Sequence, residues 1–320
     1  MLMVDSEKNS DLRAAAGSST LRFSKMHALG NDFVVVSEDA LNQACAALTA
    51  GSKAQISDKF LQALAEKLCS RRFGIGADGF IVVRRGSRPE NLSWTYLNSD
   101  GSVSLMCGNG LRCLALWAHA NNWAKAKTYF VETGKGPVQI TFESADSITS
   151  DLGEPILTPS AIPISDTTGD SFIGREAKIG CDKVKLSAVG MGNPHCVIFD
   201  AKLDEASFVQ RADKLQADKF FPEGVNVEFV EVVSRKHMRV VVYERGCGRT
   251  LACASGAAAT VVAGVLEGKT DRDVRVELEG GSLQISWSDE DNHLRINGGA
   301  SLVYEGLIQL SQIMPEAAQW

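Results

Sequence analysis

Two segments of the chain change from an apolar, strand-like run to apolar positions with helical spacing. The first covers residues 103–118, where Cys107 stands at the change and a Gly-Asn-Gly sequence follows. The periodic positions i, i+3, i+4 and i+7 are Leu111, Leu114, Ala115 and Ala118. This spacing is typical of one buried helix face. We therefore expect Cys107 in the first turn of a helix, where free backbone N–H groups and the helix dipole favour a thiolate.

A second segment repeats this arrangement. Residues 241–265 run from a strand-like stretch into Cys253, and a helix rich in small residues follows. Its periodic face carries Ala257, Thr260, Val261, Gly264 and Val265. Asn98 stands nine residues before Cys107, as Glu244 stands nine residues before Cys253. A Leu-Gly-Asn sequence upstream of the first cysteine is echoed by Met-Gly-Asn upstream of the second. The chain is therefore predicted to contain two copies of one unit, each with a thiol at a helix N-terminus.

The apolar pattern also predicts the other elements. Helices are expected at 40–49 and 58–70, the second with Ser57 or Asp58 as its N-cap. Two strands within 21–36 are joined by a turn at Gly-Asn-Asp. Further strands are predicted at 80–83, 94–98, 138–143, 184–190, 196–199, 225–233, 237–243, 273–279, 282–287 and 293–297.

The composition changes at 144–175, where Ser, Thr, Asp, Pro and Gly are frequent. Such a stretch is typical of a connection, so we expect the chain to pass there between two domains that each carry one of the two cysteines. The polar, mixed-charge start of the chain is expected to be disordered. The predicted division is an extension at 1–20, a first domain at 21–150 plus about 299–320, and a second domain at 151–298.

The composition excludes several classes of protein. With 44% hydrophobic and 22% charged residues, a chain of 320 residues can form two domains with cores of their own. Its net charge of −6 and lack of a long basic run argue against binding nucleic acid. No apolar stretch approaches the roughly 18 residues of a membrane span, and no signal-peptide core is recognisable. We expect a cytoplasmic protein that acts on a small molecule.

The eight cysteines predict neither a disulfide scaffold nor a metal site. A reducing compartment keeps them as thiols. Cys107 and Cys113 are six residues apart, as are Cys247 and Cys253, which is wider than the cysteine pairs usual in zinc sites. The five histidines are not paired at ligand spacing.

One glycine motif fits a nucleotide-binding pattern as text. Gly74, Gly76 and Gly79 match G-x-G-x-x-G. In a dinucleotide site the motif follows a strand and opens a helix, because the phosphate lies on the helix N-terminus. Here a predicted helix precedes the motif and a predicted strand follows it. We expect a tight turn, with Asp78 stabilising the loop, and no dinucleotide cofactor.

Two thiols that face each other across one carbon atom could invert a stereocentre without redox chemistry or a cofactor. One thiolate removes the α-proton, and the opposite thiol delivers a proton from the other side. A thiol suits both roles because its reference pKa of about 8.5 falls toward neutrality at a helix N-terminus. The N–H groups after each cysteine could hold charge that develops on a substrate carboxylate. Taken singly, either cysteine is more often a small buried hydrophobic residue. The remaining cysteines lack this context and are predicted to be structural: Cys45, Cys69, Cys113, Cys181, Cys196 and Cys247.

Seven segments resemble the diaminopimelate epimerases, which are cofactor-independent two-thiol epimerases. They lie in order between about residues 23 and 287: KMHALGNDFVVV, RRFGIGADGFIVV, YLNSDGSVSLMCGNGLRC, ETGKG, GMGNPHCVIF, GVNVEFV and YERGCGRTLACASGAAA. The resemblance implies an α/β (α+β) fold of two pseudo-symmetric domains, each a mixed or antiparallel sheet rolled around a central helix. It also implies an isomerase of lysine and peptidoglycan precursor biosynthesis that interconverts LL- and meso-2,6-diaminopimelate.

The resemblance further implies a role for each matching residue. Cys107 and Cys253 would be acid and base, with His195 and Glu244 near them and the reacting amino group. The reacting carboxylate would be bound by Gly108, Asn109, Ala254 and Ser255. The rest of the substrate, mainly its non-reacting end, would be held by Asn31, Asn98, Asn193, Asn226 and Arg245. Ala254 stands where the family usually has Gly, and its methyl group is expected to crowd the carboxylate.

Other interpretations stay open. The same fold could serve a racemase or epimerase of another amino acid, such as histidine or hydroxyproline, although a substrate with one amino-acid end would leave the distal residues unpaired. A related dehydratase would not need both thiols. A redox protein would cycle a Cys107–Cys253 disulfide, and a ligand-binding protein would use neither. The resemblance also allows a homodimer, since family members are often dimers.

Overall fold

The computed structural model describes residues 19–48, 56–199 and 205–314. All strands of these residues are linked by hydrogen bonds into one continuous sheet. The elements of the first half are β1 Thr20–Ala28, β2 Asn31–Ser37, α1 Glu38–Leu48, α2 Asp58–Cys69, β3 Gly79–Arg85, β4 Leu92–Asn98, β5 Val103–Ser104, α3 Gly108–Ala120, β6 Thr128–Thr133, β7 Gly136–Ser144 and β8 Ser147–Asp151.

The second half begins after a 3-10 turn at Pro159–Ala161. Its elements are β9 Phe172–Ile179, β10 Asp182–Gly190, β11 Pro194–Phe199, α4 Glu205–Gln216, β12 Asn226–Ser234, β13 His237–Glu244, β14 Gly248–Thr250, α5 Ala254–Leu266, β15 Asp273–Leu278, β16 Gly281–Trp287, β17 Leu294–Gly298, β18 Ser301–Gln309 and α6 Leu310–Ile313.

The two halves pair their strands in the same order. In the first, β1 is antiparallel to β2, β2 is parallel to β3 across α1 and α2, and β3 is antiparallel to β4. In the second, β10 is antiparallel to β11, β11 is parallel to β12 across α4, and β12 is antiparallel to β13. A short strand then leads into a central helix in both halves. The predicted repeat of one unit is confirmed in the topology.

Each central helix lies inside its own core. The predicted periodic face of α3 is buried completely against the strands of the first half. Helix α5 is buried almost all round, because its residues are mostly Ala, Val and Gly. A helix that is apolar on every side is expected in a fully enclosed position. Each part of the sheet therefore wraps around one helix, and the two helix N-termini lie against each other.

A second layer of helices covers the outside of the sheet. Helices α1, α2 and α6 pack on the outer face of β1, β2 and β3. Helix α4 packs in the same way on β10, β11 and β12. Ser57 caps α2, as predicted, because its hydroxyl accepts the backbone N–H of Phe60 at 3.2 Å.

Two pairings tie the halves together. β8 is antiparallel to β17, so the sheet continues from one half into the other. β18 returns to the first half and lies antiparallel to β1. The division into two domains at about residue 150 stays a prediction.

Several elements differ from the predictions. Strands β6, β8 and β9 and helix α4 were not predicted from the pattern. β8 is rich in Ser and Thr, which fit a half-buried strand as well as a loop. The predicted extension at 1–20 falls mostly outside the described residues, but Thr20 already belongs to β1, which corrects its boundary. Among the described residues, none of the helices has the length and apolar character that crossing a membrane requires.

Candidate active site

A cleft of about 1390 Å³ opens where the N-termini of α3 and α5 meet, and both halves of the chain contribute to its walls. Almost all of the predicted site residues lie on these walls. They are Asn31, Asn98, Cys107, Gly108, Asn109, Asn193, Asn226, Glu244, Arg245, Cys253, Ala254 and Ser255. The structure therefore brings these residues together in one cleft, without His195, and their roles stay predictions.

Cys107 is the N-cap of α3. Its backbone is extended, with φ −151° and ψ 110°, and its sulfur accepts the backbone N–H of Gly110 at 3.4 Å. A side-chain oxygen normally fills this role at a helix start. The Tyr96 hydroxyl also forms a hydrogen bond with this sulfur. The thiol therefore lies where it was predicted, at a helix N-terminus and open to the cleft.

Cys253 is the N-cap of α5, with φ −118° and ψ 113°. Its sulfur lies 3.4 Å from the Ser255 hydroxyl. Glu244, at the end of β13, forms a hydrogen bond with the same thiol. The Oε1 atom of Glu244 also accepts the Thr250 hydroxyl at 2.5 Å. Burial raises the pKa of Glu244, while the hydrogen bonds from Thr250 and Cys253 oppose that increase.

The acidity of the two thiols differs from the prediction. Burial raises the pKa of Cys107, although hydrogen bonds from the helix N–H groups lower it. The Glu244 carboxylate raises it further. Burial also raises the pKa of Cys253 well above its ordinary value, with the Glu244 carboxylate acting in the same direction. The expected fall toward neutrality was wrong, because desolvation of the thiolate outweighs the N–H groups. Both thiols are therefore protonated at neutral pH.

The two helix N-termini are in direct contact. Asn109 Nδ2 donates to the carbonyl oxygen of Ala252 at 3.2 Å, which joins the loop before Cys253 to the start of α3. A Cβ atom placed on Gly108 would lie 3.0 Å from the Cβ of Ala254. The Ala254 methyl group thus fills space beside Gly108, between the helices. Its effect on a bound carboxylate stays a prediction.

His195 does not line the cleft, but its charge still affects Glu244 on the cleft wall, so its role near the reacting groups stays a prediction. Its side chain is completely buried on β11. Its Nδ1 atom lies 2.6 Å from Glu228 Oε1, and its Nε2 atom lies 3.0 Å from Asn193 Oδ1. Both ring nitrogens therefore have protein partners, and the imidazole positions the side chain of Asn193 through its Oδ1 atom. Glu228 was missed, although it lies two residues after Asn226 and so on the same face of β12.

The asparagine side chains on the cleft wall differ in which of their amide atoms already have a hydrogen-bond partner within the protein. Asn226 accepts the backbone N–H of Arg245 at 2.9 Å and donates to the Pro194 carbonyl at 3.0 Å. Asn98 donates to the Ser102 hydroxyl at 2.9 Å. The Oδ1 atom of Asn31 is buried without a hydrogen-bond partner, although it borders the cleft. A buried, unpaired amide oxygen is costly, so Asn31 is the side chain best prepared to accept a hydrogen bond from a ligand.

A charged network supports the loop that carries Asn31. Asp32 pairs with Lys25 at 2.6 Å and with Arg71 at 2.8 Å. Its carboxylate also accepts the backbone N–H of Asp78 at 2.9 Å, while Asp78 pairs with Arg71 at 2.7 Å. The predicted loop-stabilising role of Asp78 is thereby confirmed. The network itself was missed, although its members lie in two of the recognised segments.

The glycine motif before β3 forms the tight turn that was predicted. A Cβ atom on Gly74 would lie 2.1 Å from the carbonyl oxygen of Lys67. Gly76 has φ +80°, a conformation that residues with a Cβ atom rarely adopt. The motif follows α2 and precedes β3, which is the reverse of a dinucleotide-binding site.

Asp151, Asp291 and His293 bring three potential metal ligands within 4.8 Å of one another at the edge of the cleft. Arg295 forms ion pairs with both carboxylates, at 3.1 Å for Asp151. Its guanidinium already supplies the positive charge that a metal ion would bring, so this cluster is an ion-pair network.

Comparison with known proteins identifies the family. A sequence model of the family described as "Diaminopimelate epimerase" matches residues 23–158 and 187–303. The diaminopimelate epimerase of Heliobacterium modesticaldum is 38% identical over 295 residues, which cover 91% of this chain and 100% of that protein. The chloroplastic diaminopimelate epimerase of Oryza sativa subsp. japonica is 37% identical over 295 residues, which cover 89% of this chain and 79% of that protein.

The chain belongs to the diaminopimelate epimerase family.

Solved structures of low sequence identity share the fold of this chain. A probable proline racemase from Agrobacterium radiobacter K84 has a TM-score of 0.64 at 12% identity, covering 93% of this chain and 95% of that chain. A hydroxyproline epimerase from Agrobacterium vitis has a TM-score of 0.64 at 10% identity, covering 91% of both chains. The predicted α/β fold of two pseudo-symmetric halves is confirmed.

Proposed function

We propose that this chain interconverts LL- and meso-2,6-diaminopimelate, with Cys107 and Cys253 as the two acid/base groups. One observation carries the proposal: each thiol caps one of two helices, and the two helix N-termini meet in a single cleft. The proposed substrate rests on the relatives, which are diaminopimelate epimerases along almost the whole chain.

Each turnover uses one thiolate and one thiol. One cysteine, as thiolate, removes the α-proton, and the resulting negative charge spreads onto the adjacent carboxylate. The free N–H groups at the starts of α3 and α5 stabilise that charge, because both helix dipoles point their positive ends at it. The opposite thiol then delivers its proton to the other face of the carbon, so the configuration inverts. The two cysteines exchange protonation states, and no electrons are transferred.

Binding of the substrate has to generate the thiolate. Burial raises the pKa of both thiols, so the thiolate is the minor form in the resting state. Glu244 lies against Cys253 and is suited to bind the substrate ammonium group, which would neutralise its carboxylate. That neutralisation removes the charge that, next to burial, raises the pKa of both thiols, so that one thiol can release its proton to the solvent of the open cleft. We therefore assign Glu244 the role of coupling substrate binding to thiol activation.

The second amino-acid end of diaminopimelate accounts for further polar groups on the cleft wall. Arg245 lines the cleft with a guanidinium suited to a carboxylate, and the Oδ1 atom of Asn31 offers an unpaired acceptor. A substrate such as proline or hydroxyproline would leave these groups without partners.

A substrate panel tests this assignment. Purified protein without added cofactor would be assayed by chiral chromatography on LL-diaminopimelate, proline, trans-4-hydroxyproline and histidine. We expect kcat/KM for diaminopimelate to exceed the others by about 10⁴ or more. Comparable turnover of proline would overturn the proposed substrate and leave the two-thiol mechanism standing. Activity that persists after complete disulfide formation between the cleft cysteines would instead contradict the acid/base role.

We also propose a cytoplasmic location, since the mechanism needs both cysteines reduced and all eight cysteines are free thiols. A reducing compartment maintains that state.

A homodimer is proposed from the edge of the sheet formed by β18. This strand pairs with β1 on one side. Large apolar side chains are exposed along it, with Leu302, Val303, Tyr304 and Leu307 between 45% and 55% exposed. An exposed, apolar edge strand is a ready pairing surface for a second copy. Ultracentrifugation should give twice the 34.4 kDa chain mass. The Tyr304→Glu variant should sediment as a monomer. The Leu266→Glu variant, which changes an exposed residue at the end of α5, should still sediment as a dimer.

A further inference from the structure

A completely buried arginine lies in the second turn of α3, on the helix that Cys107 caps. Arg112 forms its hydrogen bonds with neutral oxygens. Its Nε atom donates to the Gly299 carbonyl at 3.2 Å, its Nη1 atom donates to the Gly108 carbonyl at 3.2 Å, and its Nη2 atom donates to Asn109 Oδ1 at 2.7 Å. Among residues 19–48, 56–199 and 205–314, no carboxylate forms an ion pair with it.

This arrangement leaves a positive charge buried without a counter-ion. An isolated buried charge is costly, and most buried arginines are paired for that reason. Burial lowers the pKa of Arg112, but a guanidinium still keeps its proton. The ionisable groups with the strongest electrostatic interaction with Arg112 are the thiols of Cys113 and Cys107. Cys113 is fully buried and does not line the cleft between the two helices, whereas Cys107 does.

The same guanidinium also fixes the contact between the two helix N-termini. It holds the Oδ1 atom of Asn109, and the Nδ2 atom of that amide is thereby directed to the Ala252 carbonyl at 3.2 Å. Ala252 directly precedes Cys253. Arg112 is thus linked through one side chain to the loops of both cysteines.

We propose that Arg112 is a positioning residue that favours the thiolate form of Cys107 and locks Asn109 between the two cysteine loops. Its counter-ion is the negative charge that forms in the cleft, on the sulfur of Cys107 or on the substrate. This inference rests on the proposed two-thiol epimerisation, but it concerns a property of the protein without substrate. Its failure can therefore be distinguished from a failure of the proposed function.

Thiol alkylation tests the charge effect directly. The rate of iodoacetamide modification at Cys107 would be followed by peptide mass spectrometry from pH 6.5 to 9.5, in a Cys253→Ser background. Because a nearby positive charge lowers a thiol pKa by about one unit or more, Arg112→Met should raise it. Below the pKa the thiolate fraction falls tenfold per unit, so alkylation at pH 8 should slow about tenfold. Arg84→Met removes a partly buried arginine paired with Glu38 and should leave the rate unchanged.

Further variants separate charge from packing. If the Arg112→Met variant does not fold, Arg112→Gln should show the same slower alkylation of Cys107 at pH 8. Arg112→Lys keeps the charge but not the planar fork, so alkylation should stay within about threefold of the wild-type rate. With diaminopimelate as substrate and both cysteines intact, Arg112→Lys should lower kcat about tenfold with KM nearly unchanged. A folded neutral variant that alkylates at the wild-type rate overturns the proposal, as does an Arg112→Lys variant as slow as the neutral ones.

Discussion

Replacing Asp32 by Asn removes the centre of the charged network beneath Asn31. The Asp32 carboxylate lies between Lys25 and Arg71, and the side chains of Lys25 and Asp32 are 9% and 17% exposed. Breaking a buried ion pair by removing one partner costs about 3–5 kcal/mol, because the other charge stays desolvated. The exposed Arg71 contributes little to this loss. We therefore expect Asp32→Asn to lower the free energy of unfolding by about 3 kcal/mol at pH 7.

The pH dependence of this loss identifies its cause. Burial alone would raise the pKa of Asp32, but the hydrogen bonds from Arg71 and Lys25 hold it well below its usual range. A depressed pKa contributes stability above the unfolded value of about 3.9 and loses it as pH falls toward the folded value. Urea denaturation followed by circular dichroism should thus show the full deficit at pH 7 and a smaller one below about pH 4.

Asp291→Asn is the matched control. Asp291 also pairs with an arginine, Arg295, but on the surface, so its loss should be much smaller. A deficit for Asp32→Asn that equals that of Asp291→Asn, or that does not change with pH, would refute the reasoning.

Two further predictions concern the thiols and Glu244. Since burial raises the pKa of both cysteines, kcat/KM should climb between pH 6.5 and 8.5 by up to about tenfold per unit, and a flat profile would contradict the raised pKa values. Thr250→Val removes a hydrogen bond that lowers the pKa of Glu244, so kcat should fall about tenfold. Thr128→Val is the control: it removes a hydroxyl from an exposed pair with Thr141 and should leave kcat unchanged. Equal effects of the two valine variants in steady-state assays would argue against the role of Thr250.

The sequence predicted the parts of this site that depend on local pattern. Cys107 and Cys253 were found because a strand-to-helix change is visible in the apolar spacing, and the repeat made the pair significant. Helix N-capping then follows from local backbone geometry. Helix α4 was not predicted because its apolar positions are diluted by charged residues, and only packing on β10, β11 and β12 shows its buried face.

Properties that depend on distant neighbours could not be predicted from the sequence. The thiol pKa values are raised because burial among residues that are distant in sequence disfavours both thiolates, which no local motif encodes. The hydrogen bonds of His195 with Glu228 and Asn193 form only once β11 has paired with β12, so the sequence pattern did not predict them. Arg112 is surrounded by oxygens from residues as far away in sequence as Gly299, so its unpaired charge becomes visible only in the fold.

The central claim is that two thiols on opposite faces of one carbon exchange the α-proton of diaminopimelate. The most direct measurement is NMR-detected uptake of solvent deuterium into LL- and meso-diaminopimelate, without added cofactor, by the wild type, Cys107→Ala and Cys253→Ala. The account predicts that the wild type epimerises both isomers with one deuterium incorporated at the inverted centre, and that neither variant epimerises. Epimerisation by either single variant, or inversion without deuterium uptake, would contradict it.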